Sequence, residues 1–96
     1  MITAFVLIQA ARGQVGALAQ TLADLPGVAE VYSVSGPHDL VAIARVASPD
    51  DLSILVTDRL AGLSGIVSTQ TLLAFRAYSR HDLESLFEVG LPASGP

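Results

Sequence analysis

The sequence predicts a small α+β fold of order strand, helix, strand, strand, helix, strand. Three observations carry that prediction. Two segments with apolar residues at helical spacing, Val15 to Leu25 and Leu52 to Leu60, alternate with runs of β-branched and aliphatic residues. A tight turn, Val34-Ser35-Gly36-Pro37-His38-Asp39, joins the apolar run Val28 to Val34 to the run Leu40 to Val46, leaving a single hairpin between two crossover helices. The chain has 96 residues, 51% hydrophobic and only 15% charged, enough for one compact core and not for two domains. Residues 1–90 are therefore read as one domain and 91–96 as a flexible tail.

Each element has a local reason. Ile2-Thr3-Ala4-Phe5-Val6-Leu7-Ile8 is rich in strand formers and too short and branched for a helix. Gly13 then opens a segment whose Val15, Leu18, Leu22 and Leu25 make one apolar stripe, and Pro26-Gly27 stops it. After the hairpin, Ser48-Pro49-Asp50-Asp51 supplies a capping hydroxyl, a proline suited to the first helical position and two acids where the helix dipole favours negative charge. Leu52, Leu55, Val56 and Leu60 share a face of that second helix, and Gly62 and Gly65 end it. Ile66 to Ala77 is expected as a long last strand, and Leu83, Leu86 and Phe87 suggest a short third helix from about Arg80 to Phe87. Both halves read strand, helix, strand, but no residue pattern recurs as a repeat.

Right-handed crossovers place the strands in the order 4-1-3-2, with both helices on one face of a four-stranded antiparallel sheet, a ferredoxin-like βαββαβ arrangement. The other face is left open. A half-exposed sheet normally alternates apolar with polar residues, yet the first strand carries Ile2, Ala4, Val6 and Ile8 on one side and Phe5 and Leu7 on the other. The third strand sets Leu40, Ala42, Ala44 and Val46 against Val41 and Ile43. A sheet apolar on both sides needs a second cover, and a second copy of the same sheet supplies it, so a homodimer built face to face, a dimeric α/β sandwich, is expected. Leu83, Leu86 and Phe87 folding back over their own subunit would cover the face only in part.

Several function classes are disfavoured. Net charge is -4, and the basic residues Arg12, Arg45, Arg59, Arg76 and Arg80 are scattered, which argues against direct binding to nucleic acid. Cysteine is absent, so a disulfide framework, a thiolate metal site and a cysteine nucleophile are excluded. His38 and His81 share no metal-ligand spacing, and no cofactor is implied. No apolar stretch is long enough to cross a bilayer and Met1-Ile2-Thr3 lacks a basic leader, so a soluble, cytoplasmic protein without membrane contact is expected.

The topology brings Gln9 to Gln14, Ser35 to Asp39 and Gly65 to Thr69 to one end of the sheet. The second and fourth strands are opposite edges, however, and their ends lie roughly 14 Å apart at the usual strand spacing. A site using both the Gly36 turn and the polar patch Ser68-Thr69-Gln70-Thr71 would have to combine subunits.

The hairpin Val34-Ser35-Gly36-Pro37-His38-Asp39-Leu40, the opening Ser68-Thr69-Gln70-Thr71 of the last strand and the six-element order resemble the effector-binding domain of the Lrp/AsnC (feast/famine) regulators, the RAM domain. The resemblance covers nearly the whole chain, with the glycine-x-x-aspartate hairpin carrying most of it. It implies a βαββαβ sandwich dimer, assembled into tetramers or octamers, that binds an amino acid between dimers near the hairpin. Ser35, Gly36, Pro37, His38 and Asp39 match the hairpin loop, and Thr69, Gln70 and Thr71 match the polar strand segment. Regulators of this family carry an amino-terminal helix-turn-helix, whereas this sequence starts at the first strand and so resembles the stand-alone form. Full-length Lrp/AsnC regulators then become expected partners in mixed assemblies, and the role implied is regulation of transcription by effector binding, not catalysis.

A free amino acid presents a carboxylate and an ammonium. The N–H groups of Gly36 and His38 suit the former, Asp39 suits the latter, and Thr69 and Thr71 would complete a polar lining. Plainer roles exist for each: Asp39 bonding within its own turn, the threonines packing on a strand, His38 exposed in a loop, Arg12 solvated at a helix start. Two other classes share the element order. Small dimeric α/β-barrel enzymes of monooxygenase type would draw on His38, Asp39 and Arg76, but no nucleophile, base and orienting group fall at telling spacing. An ACT-like regulatory module would ordinarily be fused to an enzyme.

Overall fold

Four strands build the sheet, and their pairing follows from where the chain can place β-branched residues between its turns. In the computed structural model, which describes residues 1–80, β1 spans Ile2–Ala10, β2 Val28–Ser33, β3 Leu40–Val46 and β4 Ile66–Leu73. The order β2-β3-β1-β4 is the expected 4-1-3-2 read from the other edge, and every neighbouring pair is antiparallel. The two helical segments, α1 (Val15–Ala23) and α2 (Pro49–Ser53, continued by a π-helical stretch, Ile54–Leu60), cover one face.

Strict alternation decides what that face buries. Ala4, Val6 and Ile8 of β1 and Leu40, Ala42, Ala44 and Val46 of β3 all point under the helices and are almost fully buried. Leu18 and Leu22 of α1 and Leu60 of the π-helical stretch pack on Val6, Ile8, Leu40 and Ala42. Leu55 lies over Ala4 and Ala44, which stand opposite one another in register. Small side chains on the two central strands thus let the second helix approach the sheet. Burial of each of Ile8, Leu22, Leu40 and Leu55 is worth about 1.5–3 kcal/mol.

The second helix starts as its sequence requires: Ser48 accepts from the Asp51 N–H at 3.2 Å, with Pro49 in the first position and Asp50 and Asp51 in the first turn. It then changes winding. Leu55 and Leu60 are both buried though five residues apart, which in an α-helix would set them about 140° from each other. Winding with i→i+5 bonds reduces that angle and turns both toward the same side, so packing against the sheet overrides the local helix type.

Other boundaries also shift. β4 ends at Leu73 instead of Ala77, with one further bond from Ala74 N–H to the Thr3 carbonyl at 2.9 Å. Continued in the register of Ala4 with Leu73, Phe75 falls opposite Ile2, the first residue of β1, so Arg76 and Ala77 lie beyond the end of the partner strand. α1 ends at Ala23, and Leu25 is half-buried just beyond it. β1 runs on to Ala10, two residues past the expected end, where its register with β4 slips between Gln9 and Ala10. Apart from Arg80, the expected short helix to Phe87 and the tail 91–96 lie outside the described residues.

The opposite face of the sheet carries no helix. Phe5 and Leu7 of β1, Val41 and Ile43 of β3, Tyr32 of β2 and Leu72 of β4 share it, and Phe5, Tyr32 and Leu72 are 38%, 49% and 45% exposed. No helix among the described residues is long and apolar enough to cross a membrane.

Candidate functional site

The turn between β2 and β3 is held from outside itself. It closes with a bond from the Val34 N–H to the Asp39 carbonyl at 3.0 Å. Gly36 sits at φ +119°, a conformation that side chains resist, while a Cβ built there would meet nothing within 4 Å. Backbone shape, and not crowding, therefore selects glycine. Asp39 then ties the turn to the neighbouring strand: its N–H donates to the Ile8 carbonyl at 2.9 Å, and its Oδ2 accepts from the Ala10 N–H at 2.8 Å. The carboxylate serves β1, a partner 29 residues away in sequence. None of the hydrogen bonds among the described residues engages the N–H of Ser35, Gly36 or His38. Pro37 has no N–H to offer.

The same end of the sheet gathers the other segments expected there. The Ala11 N–H donates to the Gly65 carbonyl at 2.7 Å, and Ser68 donates its hydroxyl to Gln9 Oε1 at 3.2 Å. Register then separates the polar residues of β4. Gln70 stands opposite Leu7 and shares the open face, whereas Thr69 and Thr71 stand opposite Ile8 and Val6 and share the helix-covered face. Being on an edge strand, all three stay exposed. Thr71 joins Ile2, Leu52, Val56 and Leu73 around a groove of about 330 Å³, and Thr69 joins Leu60, Leu63 and Ile66 around one of about 300 Å³. Neither groove includes the turn. In a single copy the residues Ser35 to Asp39 thus sit at the β2–β3 corner, and Thr69, Gln70 and Thr71 on the far edge, divided between two faces.

An ionic cluster on the open face was not foreseen from sequence. Arg45 reaches Glu30 Oε1 at 3.1 Å, and the Tyr32 hydroxyl donates to Glu30 Oε2. The Tyr32 hydrogen bond, followed by that from Arg45, holds the Glu30 carboxyl below the usual carboxylate range. The same bond pushes the Tyr32 phenol up. Positions 30 and 32 alternate on an edge strand with a basic residue on its neighbour, a signal that only the strand register makes readable. Among the described residues no group of three His, Cys, Asp or Glu side chains is placed to hold a metal ion.

Strand order and helix placement describe a small domain of βαββαβ form. Residues 3–83 match the family model of the Lrp/AsnC ligand binding domain, and the chain belongs to that family. The crystal structure of TTHA0845 from Thermus thermophilus superposes with a TM-score of 0.78 at 54% identity, covering 83% of this chain and 100% of that one. The HTH-type transcriptional regulator FL11 of Pyrococcus horikoshii is 27% identical over 75 residues, 78% of this chain and 49% of the relative. The chain spans about half the length, or less, of the curated relatives it matches. The fold alone is shared with the transcriptional regulator NMB0573 of Neisseria meningitidis, described as an L-Met complex, at 17% identity and a TM-score of 0.74 over 82% of this chain and 53% of that one.

Proposed function

We propose that this domain is an amino-acid-binding regulatory module and not an enzyme, and that its copies pair through the open sheet face and assemble further into tetramers or octamers. In that assembly the turn Ser35–Asp39 of one dimer faces the β4 segment Thr69–Thr71 of another, which removes the separation these residues have within one copy. The N–H groups of Ser35, Gly36 and His38 receive the ligand carboxylate, the Asp39 oxygen not bonded to Ala10 faces its ammonium, and Thr69, Gln70 and Thr71 line the remainder. The effector acts by binding one arrangement of subunits better than another, and the output is altered transcription through full-length Lrp/AsnC regulators, without direct contact between this domain and DNA.

The observation that carries the reading is the Gly36 turn, braced on β1 by Asp39 while its own N–H groups stay unengaged. Family membership supports the regulatory role, the exposed Phe5, Tyr32 and Leu72 support pairing, and the L-Met complex of a protein with this fold supports the ligand class.

A thermal-shift screen of the twenty amino acids, run beside sizing of the protein, tests it. Ligand at a hundredfold excess over its Kd adds about 2.7 kcal/mol of stability, a shift easily read in a domain of this size. One or a few amino acids should stabilise, and their carboxamide analogues, which lack the carboxylate, should not. Absence of any stabilising amino acid, or equal stabilisation by the carboxamides, refutes the assigned binding mode.

A further inference from the structure

β4 is an outer strand, and its register shows which main-chain groups lie on the free edge. Residues pair in step from Ser68 opposite Gln9 to Leu73 opposite Ala4, and the Ala74 N–H donates to the Thr3 carbonyl. Antiparallel pairs alternate between those that exchange main-chain bonds and those that do not, so Ser68, Gln70 and Leu72 bond inward to β1. The N–H and carbonyl groups of Thr69, Thr71 and Leu73 point outward, and no strand among the described residues pairs with them. Proteins usually blunt such an edge with charge, proline or a bulge. The other edge strand, β2, has a register shift between Val28 and Glu30 and carries the Glu30 charge. β4 is irregular only at its start, opposite Ala10, and Ser68 to Leu73 contains no charged residue and no proline.

What fits this edge is a second β4. The two grooves between β4 and the second helix are also lined without a charged residue, so in a chain of net charge -4 the strip along the edge is uncharged and two copies meet there without repulsion. About a two-fold axis at Thr71, an antiparallel β4 sets Thr69 opposite Leu73 of the second copy and Thr71 opposite its own counterpart. Every outward residue of the regular stretch then exchanges main-chain bonds, about six in all. On the helix side, Leu73, 51% exposed in a single copy, comes beside Thr69 of the other copy and the groove formed there by Leu60, Leu63 and Ile66. Moving the axis to Gln70 would set Leu73 opposite Val67, where the pairing with β1 is irregular.

We propose that β4 pairs edge to edge with β4 of a second copy in the Thr71-centred register, extending the sheet across two chains. The contact is made by main-chain groups in the plane of the sheet, and it stands whether or not copies also pair through the open face or the turn binds an amino acid. So few bonds make a weak contact on their own, and a disulfide traps it. The chain has no cysteine, which leaves the background clean. Facing Thr71 residues would have Cα atoms about 5.5 Å apart, within the range a disulfide spans. Thr71 is exposed and its N–H is not used by β1, so Thr71→Cys should fold. Under mild oxidation it should cross-link into dimers about tenfold or more faster than Ala17→Cys, an exposed control on α1. A mixture of Thr69→Cys and Leu73→Cys chains should give the mixed dimer in preference to either like pair. Both results should persist in the Leu7→Glu background, where the open face carries a charge. Cross-linking of Thr71→Cys no faster than the control, or lost with Leu7→Glu, overturns the proposal. Preferential pairing of Thr69→Cys with Thr71→Cys chains overturns the register.

Discussion

Asp39→Ala tests how the candidate site is built, because the same carboxylate has a structural partner and a proposed ligand. Its Oδ2 accepts from the Ala10 N–H at 2.8 Å across the β3–β1 junction, where both residues are half-buried. Truncation leaves that N–H without its charged acceptor, a loss of about 1–3 kcal/mol for a buried group. Partial access of water to Ala10 argues for the lower half of the range, about 1–2 kcal/mol, which in a domain of this length is a fall in Tm of roughly 4–16 °C. Asp39→Asn keeps an oxygen acceptor but loses the charge, so its cost should be about half as large. The backbone bond from Asp39 to the Ile8 carbonyl survives both changes. Urea unfolding at one fixed protein concentration measures the difference, since assembly makes stability depend on concentration. A change under about 0.3 kcal/mol for Asp39→Ala, or an asparagine variant as damaged as the alanine one, refutes the account of Asp39 as the brace of the turn.

Five further outcomes follow from the packing and the charges. Leu55→Ala should lose about 2–5 kcal/mol in the same urea assay, since Leu55 is fully buried over Ala4 and Ala44. Gly27→Ala should destabilise more than Gly36→Ala by thermal melting: both glycines have positive φ, but a Cβ at Gly27 comes within 3.2 Å of Val46 Cγ1 whereas one at Gly36 meets nothing. Glu30 has its pKa lowered by Tyr32 and Arg45, so its contribution to stability is present above the ordinary glutamate pKa and is lost as pH falls through the folded value; Glu30→Gln should flatten that acid limb. For Tyr32, whose pKa is raised by Glu30, the contribution is present below the ordinary phenol pKa and lost as pH rises through the folded value, and the same Glu30→Gln change should bring phenolate absorbance in at lower pH. Leu7→Glu, on the open face opposite Val41 and Gln70, should convert the assembly to monomers by analytical ultracentrifugation while leaving far-UV circular dichroism intact.

Sequence by itself determined whatever depends on near neighbours. The six-element order, the Ser48 cap with Pro49 behind it, the left-handed backbone at Gly36 and the double-sided apolarity of β1 and β3 are all written in short stretches, because capping, turn geometry and strand alternation act over a few residues. Tertiary structure decided the rest. The register of β4 on β1 decides that Thr69 and Thr71 take the helix-covered face and Gln70 the open one. The partner of Asp39 lies on another strand, the Glu30–Tyr32–Arg45 cluster forms only once β2 lies beside β3, and the second helix takes π winding because Leu55 and Leu60 must both meet the sheet. Each of these is set by contacts between residues distant in sequence, where the free energy of packing exceeds local preference.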